Sequence, residues 1–90
     1  MTKAIITVVG KDAPGIIASV CVYLADNDVN ILDITQTIVE GYFNMMMIVD
    51  VTKCSKNFDD LSDGLTQLGK KIGVQTKIQL AEIFNQMHRI

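Results

Sequence analysis

The residues best suited to do chemistry form one short run, Val9-Gly10-Lys11-Asp12-Ala13-Pro14-Gly15-Ile16. Gly10 and Gly15 let backbone approach a bound molecule, and Pro14 fixes the start of a helix. The first N–H groups of that helix lack intrahelical partners and offer a seat for a carboxylate. Asp12 offers the counter-charge for an ammonium group. A carboxylate acceptor beside an ammonium acceptor describes a free amino acid. The same residues also suit a plain strand-to-helix turn, with Asp12 as the N-cap contributing about 1 kcal/mol. Capped Gly/Pro turns of that kind are the commoner use of this chemistry.

Other reactive types are poorly arranged. Met45 and Met47 share a strand face and invite a soft-metal reading with Cys21, but flexible methionines in a small core explain them better. Cys21 lies in the apolar stripe of a helix, whereas Cys54 sits in a polar stretch as an exposed, unactivated thiol. The two make no metal-ligand spacing. His88 is the single histidine, near the end of the chain and without an adjacent Asp or Ser. Asp59-Asp60 reads as a helix-dipole pair rather than a catalytic dyad. No base and nucleophile are paired, so neither a catalytic residue, a metal nor a cofactor is expected.

The elements that must position the loop follow from periodicity. Lys3 to Val9 is a β-branched strand ended by Gly10. Ile16, Ile17, Val20, Cys21 and Leu24 have helical spacing, and Asp26-Asn27-Asp28 closes that helix. Asn30 to Val39 is a second strand, with Leu32, Ile34 and Ile38 on one face. Glu40-Gly41 makes a tight hairpin turn. Tyr42 to Val51 is the third strand, with Phe43, Met45, Met47, Val49 and Val51 on one face. Lys53 to Asn57 is a polar connection. Phe58, Leu61, Leu65, Leu68 and Ile72 step by 3 and 4 through a second helix, which has acidic residues at its start, Lys70-Lys71 at its end and Gly73 as its cap. Val74 to Leu80 alternates as a fourth strand, and Ile83, Phe84, Met87 and Ile90 suggest a short terminal helix.

This order is βαββαβ. Right-handed crossovers fold it into a ferredoxin-like two-layer α+β sandwich with a four-stranded antiparallel sheet and both helices on one face. Residues 1–90 are read as one domain, with 81–90 as a helical extension. The opposite sheet face carries Ile5, Val9, Met46 and Ile48, more apolar than a solvated face. The terminal helix or another subunit is expected to cover it.

At this point the sequence resembles a known family. The D-A-P-G-I turn at Asp12 to Ile16, followed by V-N-I at Val29 to Ile31, is similar to ACT domains, small βαββαβ amino-acid-sensing modules. D-I-T-Q-T at Asp33 to Thr37, F-N-M-M at Phe43 to Met46 and I-F-N-Q-M at Ile83 to Met87 resemble stand-alone bacterial and archaeal ACT proteins similar to the glycine cleavage system repressor. The resemblance covers essentially the whole chain. It implies a homodimer or higher homo-oligomer whose second strands pair, with a small amino acid held between subunits. One wall would be Gly10, Lys11, Asp12, Ala13, Pro14, Gly15 and Ile16. Asn30, with Ile31, would come from the partner, although Asn30 equally suits a helix-to-strand turn. Amino-acid-binding relatives often carry Asn where this chain has Asp12, and a carboxylate there repels the acid end of a zwitterion. Asp12 therefore either holds the ammonium or marks a site that has lost amino-acid binding.

Composition narrows the classes further. Apolar residues make up 49% of the 90-residue chain and charged residues 20%, which excludes a disordered tail protein. The net charge of −2, with scattered basic residues, gives no phosphate-tracking stripe, so direct nucleic-acid binding is not expected. Strand one also lacks the aromatic residues of an RNA-reading sheet. The single arginine is Arg89, far from the first loop where acylphosphatase-type enzymes hold phosphate. The apolar runs are too short to span a membrane, the N-terminus shows no signal-peptide stretch, and a cytoplasmic setting with reduced thiols is expected. The reading is a non-enzymatic regulatory module that senses a small amino acid. A protein-interaction ACT module with a vestigial ligand site is the alternative.

Overall fold

The computed structural model describes residues 1–82. Six elements follow in order: β1 (Lys3–Lys11), α1 (Ile16–Asp26), β2 (Asn30–Val39), β3 (Tyr42–Asp50), α2 (Phe58–Ile72) and β4 (Val74–Leu80). They build one antiparallel sheet in the order β2-β3-β1-β4. β3 lies between the parallel strands β1 and β2, and β1 lies between β3 and β4. Each helix therefore crosses over one strand, as the ferredoxin-like sandwich requires. Of the helical extension expected over 81–90, residues 81–82 are helical and 83–90 lie outside the described residues.

The core occupies the layer between sheet and helices. Ala4, Ile6 and Val8 from β1 alternate inward with Phe43, Met45, Met47 and Val49 from β3. Ile16, Val20 and Leu24 from α1 and Leu61 and Leu65 from α2 close over them. Met45 and Met47 are fully buried, so they are core, as their spacing suggests. The helices meet where Gly64 leaves room for the Tyr23 ring. The Tyr23 hydroxyl donates to the Leu61 carbonyl at 2.9 Å, and Lys56 Nζ lies 5.5 Å from the ring centroid.

Several local expectations need correction. β1 runs two residues past Val9, because Gly10 and Lys11 still pair with Phe43 and Tyr42. β3 ends at Asp50, whose carboxylate turns the chain by accepting from the Thr52 N–H and hydroxyl, and Val51 follows the strand. Leu32 does not share a face with Ile34 and Ile38. A bulge between Ile31 and Asp33 leaves it unpaired, and Ile31 takes the helix-side position beside them. Cys54 is half-buried against the core rather than exposed, since its N–H closes a turn onto the Val51 carbonyl.

Candidate functional site

The loop leaves the sheet at Lys11, and its direction is set by one backbone contact. The Asp12 N–H donates to the Gly41 carbonyl at 2.8 Å, which ties the loop to the β2–β3 hairpin. That hairpin turns through Glu40 and Gly41 at φ 52 and 80, the two positive angles a type I′ turn requires. Asp12, Ala13, Pro14 and Gly15 are exposed, while Ile16 is buried and anchors the helix to the core.

Asp12 does not cap α1, and Pro14 is not its first residue. The chain makes an extra turn at Pro14-Gly15, and Gly15, at φ 84, is the N-cap without a side-chain hydrogen bond. A left-handed N-cap needs glycine, and it places Asp12 too far back along the chain to reach the helix N–H groups. The first turn of α1 also carries no acidic residue. α2 is built differently: the Asn57 side chain accepts from the Asp60 N–H at 2.8 Å, and Asp59 and Asp60 lie in the first turn. Asn57 was legible as a cap-forming type directly before an apolar repeat, although the polar stretch around it hid that role. The N-terminus of α1 thus remains an uncompensated positive end beside an exposed loop.

Gly10 has a packing role in addition. A Cβ there would lie 2.8 Å from Val74 Cγ1 and 3.1 Å from Val74 Cα, so the missing side chain is what lets β4 start close against β1.

The structure does not bring Asn30 and Ile31 to this loop within one chain. Asn30 pairs with Asp50, which pairs with Lys3, at one end of the sheet. Lys11 pairs with Tyr42, which pairs with Val39, at the other end. Eight residue steps of strand separate the two ends, roughly 25 Å. Asn30 is exposed and Ile31 half-buried at the first position of the β2 edge. β2 itself is an outer strand on which Ile34, Ile38 and Val39 remain 40%, 55% and 65% exposed.

Among the described residues no three His, Cys, Asp or Glu side chains gather as a metal site. His88 lies outside the described residues. No helix among the described residues is long and apolar enough to cross a membrane. Concave surface is found at the other outer strand, in clefts of about 450 and 470 Å³ along β4, and Gly10 lines the second of them.

Residues 2–79 match the family model described as the ACT domain. A UPF0237 protein of Bifidobacterium longum is 58% identical over 90 residues, covering all of both chains. An ACT domain protein from Streptococcus pneumoniae of solved structure is 42% identical with a TM-score of 0.82, covering 92% of this chain and 93% of that one. A putative glycine cleavage system transcriptional repressor shares the fold, with a TM-score of 0.76 at 23% identity over 89% of this chain and 46% of its own.

Proposed function

Because the chain belongs to the ACT domain family, whose members are regulatory modules that bind small molecules, we propose that it is a non-enzymatic sensor of a small amino acid held at a homodimer interface. The observation that carries this reading is the open N-terminus of α1. It has no capping side chain and no acidic residue, and it sits beside a loop of exposed residues from Asp12 to Gly15. Its free N–H groups suit the carboxylate of the ligand, and Asp12 suits the ammonium.

The separation of Asn30 from the loop supports a second subunit rather than arguing against the site. A two-fold axis beside β2 pairs the strand antiparallel with its copy and exchanges the two ends of the sheet. The partner's Asn30 end then runs toward the loop end of the first subunit. The exposed apolar side chains of β2 supply the contact. Ligand shared in this way stabilises the dimer in proportion to its binding free energy. Sensing in the micromolar to millimolar range needs about −4 to −8 kcal/mol.

A thermal-shift screen of the full chain against the twenty amino acids tests this reading, with sizing in parallel. At least one small amino acid is expected to raise the melting temperature and increase the dimer fraction. Asp12→Asn is expected to fold normally and to change the size or selectivity of that response. A monomer that responds to no amino acid contradicts the sensor and favours the interaction-module reading, which the carboxylate at Asp12 would then explain.

A further inference from the structure

The trough along β4, which meets the amino-acid loop only at Gly10, has the size and charge of a binding site. Its two clefts share Val9, Lys70, Val74 and Gln75; the first runs on to Lys77 and the second to Tyr42. Two glycines border it where β4 begins. Gly10 makes room for the Val74 side chain, and a Cβ at Gly69 would lie 2.8 Å from the Val74 carbonyl oxygen, so β4 sinks between β1 and α2. About 450 Å³ is within the range of pockets that hold small organic ligands.

The lining is electrostatically one-sided. Lys70 and Lys77 both face it, and no Asp or Glu is among the described residues that line either cleft, in a chain whose net charge is −2. Lys77 pairs in register with Thr7 on the sheet face away from the helices, whereas Lys70 stands on the last turn of α2. The two cations therefore reach the trough from opposite sides of β4. β4 pairs only with β1 among the described strands, so alternate N–H groups along its outer edge also point outward. At the far end the exposed Tyr42 offers an aromatic face.

Other duties of these lysines do not account for the arrangement. Lys71 occupies the same last turn of α2 and serves the negative helix end without lining the trough. Lys77 has no helix end to serve. A lysine on an outer strand can discourage stray strand pairing, but that role gives no affinity for anions.

We propose that this trough binds a small organic phosphate, with Lys70, Lys77 and the outward β4 amides on the phosphate and Tyr42 on an aromatic ring. Titration of the ¹⁵N-labelled full chain with adenosine monophosphate, at fixed ionic strength, tests the assignment. Shifts are expected at Lys70, Val74, Gln75, Thr76 and Lys77. Lys70→Ala with Lys77→Ala should weaken binding at least about tenfold, because charge-assisted hydrogen bonds are lost. Lys70→Arg with Lys77→Arg should retain it. Both lysines are exposed, and a dispersed spectrum of each variant confirms that it folds. The absence of shifts at these residues, shifts confined to 11–16, or unchanged affinity in the alanine pair would overturn the proposal. Inorganic phosphate binding as tightly as the nucleotide would overturn its organic part.

Discussion

Gly10 shows how one position can serve both the fold and the candidate site. Its Cα lies where Val74 packs, and an added methyl would meet both Cγ1 and the Val74 backbone. Gly10→Ala is therefore expected to cost about 1–3 kcal/mol by overpacking, read as a lower urea midpoint. Val74→Ala in the same chain should recover part of that loss, because it removes the nearer contact. Tyr23 gives a test by pH. Burial, and secondarily the charge of Cys54, pushes its phenol above the ordinary 10.0. A raised folded-state pKa means that the native state favours the neutral phenol. This contribution is complete below about pH 10, the unfolded value, and is lost as pH rises through the folded one. Stability should fall across that alkaline window in the wild type and less steeply in Tyr23→Phe. The same substitution should cost about 0.5–1.5 kcal/mol at neutral pH through the lost bond to the Leu61 carbonyl.

The two helices separate what periodicity could reveal from what it could not. α2 was readable almost to the residue, because Phe58 to Ile72 carries a clean 3-4 repeat with complementary charges and Gly73 at φ 81 as its cap. Asn57→Ala should destabilise it by about 1 kcal/mol, measurable by denaturation, with no effect on amino-acid response. The start of α1 was misread because Pro14 and Asp12 match a generic helix start. The deciding fact was the left-handed angle at Gly15, which depends on where β1 releases the chain. The span of β2 follows from the sequence, and so does the shared face of Ile34 and Ile38, but the facing fails at Leu32, since a bulge resets the period of two without any Gly or Pro to announce it. The loop's residues were legible from their types. Its attachment to Gly41 was not, because that hydrogen bond joins residues 29 apart in sequence.

At the scale of the molecule, the apolar residues that make up 49% of the chain are unevenly placed. The helix-facing layer is filled over β1 and β3, and Ile5 on the opposite face is also buried. The exposed apolar groups include Ile34, Ile38 and Val39 on the outer strand β2 and Val9 and Met46 on the open sheet face. Positive charge from Lys70 and Lys77 lies at the other outer strand, so the two sheet edges differ in chemistry: one suits a second copy and the other an anion. The loop from Gly10 to Ile16 lies at one end of the sheet, and Asn30 and Ile31 lie at the other; the proposed sensor needs a two-fold axis to join them.

Sedimentation equilibrium of the wild type and Ile38→Lys, with and without the amino acid that gives the largest thermal shift, tests this account most directly. The wild type should be a reversible dimer whose association tightens as ligand is added, whereas Ile38→Lys should remain monomeric and lose most of its ligand response. A wild-type monomer at every concentration, or a dimer that Ile38→Lys and ligand leave unchanged, would contradict it.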